Sequence, residues 1–159
     1  MYTKNSIEEM AKNILEKNGS HQPQFIIINN QTKEADVILT MFGNDEEKMR
    51  VSKMMRKAVE DKKADEYFFI MEAFVGKNID IRPKDDPKRV EVLIVNHMKK
   101  DLTGKIIIFE FEKTGNKIKW GKRTESNQND TKSVWDFYRE EISPKELYTY
   151  AKKESEKFD

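Results

Sequence analysis

Along the chain, apolar positions keep two different rhythms. Ile7, Met10, Ala11, Ile14 and Leu15 recur at helical spacing. Ser6 and Glu9 have the spacing of a capping box, and Gly19 suits the position just past a helix end. The pattern predicts a first helix over about Ser6 to Asn18. "QFIIINN" and "ADVILTMF" then read as two strands of a hairpin joined by the polar "NQTKE". Asn44, with Glu47 three residues on, opens a second helix that runs to about Lys62. Its apolar stripe is Val51, Met54, Met55, Ala58 and Val59.

From Asp65 the period becomes two. Four strands are expected: Glu66 to Val75, Val90 to Met98, Lys105 to Lys113, and Lys117 to Lys122. The links "KKDLTG" and "TGN" are of hairpin length, so the strands they join pair antiparallel. "RTESNQNDTK", Arg123 to Lys132, has no apolar anchor and is expected to be mobile. Two helical pieces close the chain, about Ser133 to Glu140 and Pro144 to Lys157, the second marked by Ser143, Pro144 and Glu146. The order α-β-β-α-β-β-β-β-α-α implies a single α+β domain over residues 1–159: a mostly antiparallel sheet, made of a four-strand meander plus an N-terminal hairpin, packed by helices. The pattern leaves open how the hairpin joins the meander.

Strand residues alternate faces, so the links align the faces from strand to strand. With "TG" as the centre of the last hairpin, Phe111 lies opposite Ile118, Phe109 opposite Trp120, and Glu112 and Glu110 opposite Lys117 and Lys119. A centre near Asp101 and Leu102 puts Val92 and Ile94 with Phe109 and Phe111. A centre near Arg82 and Pro83 then sends Tyr67, Phe69 and Met71 to the apolar face. Phe68, Ile70, Glu72 and Phe74 go to a second, mixed face with Glu91 and Glu110. A single isolated charge in a core costs several kcal/mol. Glu72, in the middle of "EYFFIMEAFVG", is therefore expected at the border of a half-open surface.

Composition narrows the chemistry. Hydrophobic residues are 36% and charged residues 37% of the chain, and the clustering of the former argues against disorder. Net charge is +1, from 30 basic and 29 acidic residues, so no global field draws the protein to nucleic acid or an anionic membrane. No cysteine is present, which removes disulfides, thiolate metal sites and cysteine nucleophiles. No apolar run approaches the ~20 residues of a membrane helix, nor is there a signal-peptide apolar region. A cytoplasmic protein is expected.

Two surfaces could carry function. Glu72, Glu91 and Glu110 form a candidate carboxylate cluster, with Arg82 and Arg89 above it to orient an anion. The plainer alternative is a solvated sheet face whose acids pair with lysines. Phe68, Ile70, Phe74, Val95, Ile106 and Ile108 form a candidate interface. "RPKDDPKRVE", with two prolines, reads as a stiff loop. His21 and His97 are too far apart in the chain to suggest zinc, and no HExxH, phosphate-loop or Gly-flanked serine motif occurs.

The residues Glu72, Ala73, Phe74, Arg82, Pro83, Asp86, Pro87, Arg89 and Glu91 also follow a recognisable order. "FFIMEAFVG" followed by "IRPKDDPKRVEVLIV" resembles a group of small uncharacterised prokaryotic and phage proteins. In that group a Glu-Ala-aromatic strand precedes an Arg-Pro, acidic-pair, Pro-x-Arg-x-Glu loop and a second apolar strand. The likeness covers about Ala64 to Glu112, with Phe74 where the group has Trp. It implies that Glu72 and the Arg-Pro loop form one structural unit, and it implies no activity.

The leading reading is a binding or accessory domain without catalytic activity, needing no cofactor and offering its second face to a protein partner or to a second copy. The alternative is a metal-assisted hydrolase built on Glu72, Glu91 and Glu110. A nucleic-acid accessory role, through Lys117, Lys119, Lys122 and Arg123, ranks third; nucleic acid is not the expected partner.

Overall fold

In a computed structural model, which describes residues 2–78, 80–127 and 135–138, the chain forms an α+β fold. The described elements are α1 (Lys4–Asn18), β1 (Gln24–Asn29), β2 (Glu34–Leu39), α2 (Asp45–Lys62), β3 (Glu66–Val75), a 3-10 turn (Pro83–Asp85), β4 (Val90–Lys99), β5 (Gly104–Thr114) and β6 (Lys117–Asn127). All six strands pair antiparallel in one sheet, in the order β2-β1-β3-β4-β5-β6. The hairpin therefore joins the meander through β1 and β3. Helix α2 carries the chain from β2 back past β1, which leaves β2 at the sheet edge.

Among the described residues, one helix covers each face. On one side Ile7, Ala11 and Leu15 of α1, all fully buried, pack on Ile26, Phe68, Ile70, Leu93, Val95, Ile107, Phe109 and Phe111. On the other, Val51, Met55 and Val59 of α2 pack on Phe25, Ile27, Tyr67 and Phe69. Burying one such aliphatic side chain contributes about 1.5–3 kcal/mol, so both faces hold the fold. Helix α1 starts two residues earlier than expected. Its capping box is Thr3 with Ser6, not Ser6 with Glu9: the Thr3 hydroxyl accepts from Ser6 N–H and the Ser6 hydroxyl from Thr3 N–H. Asn44 does cap α2, accepting from Glu47 N–H at 2.8 Å.

The expected strand registers divide sharply. The long "GKNIDIRPKDDPKR" link gives the expected alignment, with Glu72 opposite Leu93 and Phe74 opposite Glu91. The short β4–β5 link does not. Lys99 N–H bonds to Thr103 O, and the loop between them has three residues, with Leu102 in the left-handed region at φ 70°. Val92 then faces Glu110 and Leu93 faces Phe109, a slip of one residue that exchanges the faces. In the last hairpin the turn is Gly115-Asn116, with Gly115 at φ 63°, so Phe111 meets Trp120 and Glu112 meets Lys119. A bulge between Phe109 and Phe111 then shifts the pairing again.

Two further expectations are corrected. Arg123 to Asn127 is the second half of β6, not part of a mobile loop. Its polar side chains find partners on α1, which an apolar anchor test overlooks. Trp135 to Tyr138 is irregular, not helical, and the expected helix over Pro144 to Lys157 lies outside the described residues. The Tyr67 hydroxyl donates to Trp135 O at 2.7 Å and accepts from Phe137 N–H at 3.0 Å. Phe137 and Trp135 pack among Phe25, Tyr67 and Phe69. Burial pushes the Tyr67 hydroxyl well above its ordinary range, so it remains a neutral donor.

Candidate functional site

Glu72 stands on the α1 side of β3, where "EYFFIMEAFVG" turns from fully buried to half-buried residues. Its side chain is 27% exposed. One oxygen accepts the backbone N–H of His21 at 3.0 Å, and the other lies 3.5 Å from Lys113 Nζ. His21 belongs to the segment joining α1 to β1. Glu72 is thus tied to that segment from one side and to β5 from the other. A carboxylate oxygen meets a part-buried N–H that would otherwise lose its water without replacement.

The three candidate carboxylates are not brought together. Glu91 shares Glu72's side of the sheet, two residues along from its direct partner Leu93. Glu110 pairs with Val92 and points to the opposite side, because of the one-residue slip in the β4–β5 loop. Among the described residues no group of three His, Asp or Glu side chains could hold a metal ion. The candidate interface is also divided. Phe68, Ile70 and Val95 are fully buried beneath α1, whose apolar stripe covers the half-open face expected there. Ile106 and Ile108 are half-buried on the opposite side, again through the slip. Phe74 alone of the six is exposed, at 38%.

Arg82 and Arg89 belong to the loop after β3. The Arg89 guanidinium lies over the Phe74 ring, 4.9 Å from its centroid, and Arg82 is exposed on the rim of a cleft that Phe74 also lines. The loop is held by Asp86, which the sequence placed in the Arg-Pro pattern without assigning it this role. Asp86, buried, accepts backbone N–H groups from Lys77 at 2.7 Å, Asn78 at 2.9 Å and Lys88 at 2.8 Å. These bonds, led by that of Lys88, hold its carboxyl below the usual carboxylate range. A side chain at Gly76 would sit 3.3 Å from Pro83 Cα and 3.4 Å from Asp86, so the loop closes tightly over that glycine. The available signal was an Asp between an acidic residue and a proline, the composition of a side-chain-capped turn.

His97 and Glu66 form a pair that the sequence did not bring together. The imidazole Nε2 is 3.2 Å from Glu66 Oε1, and the ring stacks on Phe68 at 4.1 Å. Burial lowers the His97 pKa, against the opposing pull of Glu66. His21 is lowered by burial as well, with the Gln22 carbonyl on Nδ1 and the Glu72 charge opposing. Of the basic residues on β6, Arg123 is engaged by Glu8 at 2.8 Å and by Glu125 at 3.3 Å. Lys119 faces Glu112 across the strands.

An antiparallel six-stranded sheet with a helix on each face defines the class: an α+β protein with no helix, among the described residues, long and apolar enough to cross a membrane. Within that class the chain belongs to the family of bacteriophage lambda protein ea47, whose model matches residues 2–145. No curated protein and no solved structure matches the chain. Membership sets it among phage proteins, as the coarser resemblance implied, and assigns no activity.

Proposed function

We propose that the chain is a cytoplasmic, non-catalytic interaction domain that pairs with a second copy of itself along β2. The observation that carries this reading is the contrast between the two sheet edges. The β6 edge bears Lys117, Lys119, Lys122 and Arg123, the charges by which exposed edges resist pairing. The β2 edge has neither lysine nor proline, and Val37 and Leu39 are 46% and 59% exposed on it. Its two acids, Glu34 and Asp36, are already met by Lys62 at 3.3 and 2.9 Å.

The strand is also self-complementary. An antiparallel copy centred on Val37 sets Val37 against Val37, Ala35 against Leu39 and Asp36 against Ile38, and no acid faces another. Val37 lies opposite Ile26 and Ala35 opposite Ile28, both on the α1 side, so such pairing extends the α1-side core across the twofold axis. The dispersal of the three carboxylates supports a binding role over a hydrolytic one. Light scattering across micromolar to millimolar protein tests the reading. The expected mass is twice 18.9 kDa, falling to that of one chain in Val37→Lys/Leu39→Lys with an unchanged far-UV circular dichroism spectrum. A monomer at high concentration, or a dimer indifferent to those substitutions, overturns it.

A further inference from the structure

Between the start of α2 and the Arg82 turn lies an open cleft of 740 Å³, within the size range of small-ligand sites. Its chemistry is unlike that of the β2 edge. Phe42 and the exposed Phe74 give it two aromatic walls, and Arg82, Lys84 and Lys48 give it three cations against one carboxylate, Asp45. Lys48 is loosely held by Asp45 at 3.9 Å; among the described residues Arg82 and Lys84 have no ion-pair partner. The walls are preset. Phe42 rests against Trp135 at 5.1 Å, and the Arg82 turn is fixed by the Asp86 bonds and by Pro83. The helix start itself is closed, since Glu47 takes the Gly43 N–H and Asn44 takes that of Glu47.

Uncommitted cations beside a half-buried Phe42 and an exposed Phe74, whose ring already carries the Arg89 guanidinium over it, match a ligand with a flat ring at one end and an anion at the other. A simple anion has no use for Phe42 and Phe74, and an aliphatic side chain has none for Arg82 and Lys84. We propose that this cleft binds the base-and-phosphate unit of a nucleotide, with the base against Phe74 and Phe42 and the phosphate at Arg82 and Lys84. The unit is either free or part of a single strand; both offer the same groups. The near-zero net charge of the chain is no obstacle, because the recognition is local.

The test is fluorescence anisotropy of a 5′-labelled twelve-base oligo(dT) at low salt, with AMP and inorganic phosphate as competitors. Phe74→Ala is expected to weaken binding about 5- to 150-fold, the range for loss of one base–aromatic stack. Arg82→Ala/Lys84→Ala is expected to flatten the log–log salt dependence by about 1.4, from two lost phosphate contacts. Lys119→Ala, on the far edge, leaves binding unchanged. Displacement by AMP identifies a free-nucleotide site, and retention of the oligonucleotide against AMP identifies a single-strand site. Three results overturn the proposal: no binding of labelled probe or AMP, binding that survives both sets of cleft substitutions, or inorganic phosphate competing as well as AMP.

Discussion

Glu72 shows how a charge can sit at the end of a buried strand without being a catalyst. Its neighbours along β3, Ile70 and Phe68, are fully buried, yet its own oxygens reach a backbone N–H and a lysine. The two contacts differ in weight. Lys113 is partly exposed, and such a pair contributes at most about 1 kcal/mol. The His21 N–H is part-buried, and leaving it unpaired costs about 1–3 kcal/mol. Glu72→Ala should therefore lose about 1–3 kcal/mol in urea denaturation. Glu72→Gln should lose less than about 1, because an amide oxygen still accepts the N–H. Equal losses in the two variants would assign the effect to the lysine pair and sink the clamp. The sequence placed Glu72 at an apolar-to-polar border, which is where it lies. It could not reveal the partner, since a backbone N–H 51 positions away leaves no mark on residue type.

At the level of elements, α1 is fastened by a polar stripe beside its apolar one. Lys4 pairs with Glu125, Glu8 with Arg123, and Glu16 accepts from the Trp120 indole N–H. Lys12 lies over the Phe109 and Trp120 rings. These residues recur every four positions, so one helical face meets β5 and β6 along its length. On the opposite side, the 135–138 segment is held by the Tyr67 hydroxyl together with Arg56, which donates to the carbonyls of Asp136 and Phe137, and the Tyr138 hydroxyl, which donates to that of Ala64. Tyr67→Phe removes the donor to Trp135 O and the acceptor for Phe137 N–H, and should cost about 1–3 kcal/mol with a shift in tryptophan emission. Unchanged stability and emission would show that the Arg56 and Tyr138 bonds and aromatic packing hold the segment without the Tyr67 hydroxyl. Element types and most boundaries from α1 to β5 were legible because apolar spacing reports them directly. Faces were not, because they rest on loop parity. The proline-rich link gave the right parity, whereas the three-residue loop at Leu102 places a leucine where glycine is the usual signal. That one loop moved Glu110, Ile106 and Ile108 to the side away from Glu72, while it is α1 that encloses Phe68, Ile70 and Val95.

For the molecule as a whole, the two histidines link stability to pH. Burial keeps both pKa values below the ordinary 6.5, so in that range the unfolded chain binds more protons than the folded one. Stability is then full above pH 6.5 and declines as the pH falls through 6.5 towards the folded values. NMR titration should place both imidazole midpoints below 6.5, and the melting temperature should drop between pH 7.5 and 5.5. A midpoint above 6.5, or a flat melting profile, would show that the carboxylate neighbours outweigh burial.

The stripe on α1 also bears on the order in which the chain can acquire its structure. Lys4 and Glu125 are 121 positions apart, so α1 leaves the ribosome long before β6 exists to receive it. The hairpin and the first meander strands can pair as they emerge, because their partners are near in sequence. The polar seam cannot close until Glu125 has been made. Through that interval the sheet face later enclosed by α1, with Phe68, Ile70 and Leu93 on it, has its helical cover without the fastening along β6. Translation thus sets the earliest moment at which the α1 side of this fold can be sealed.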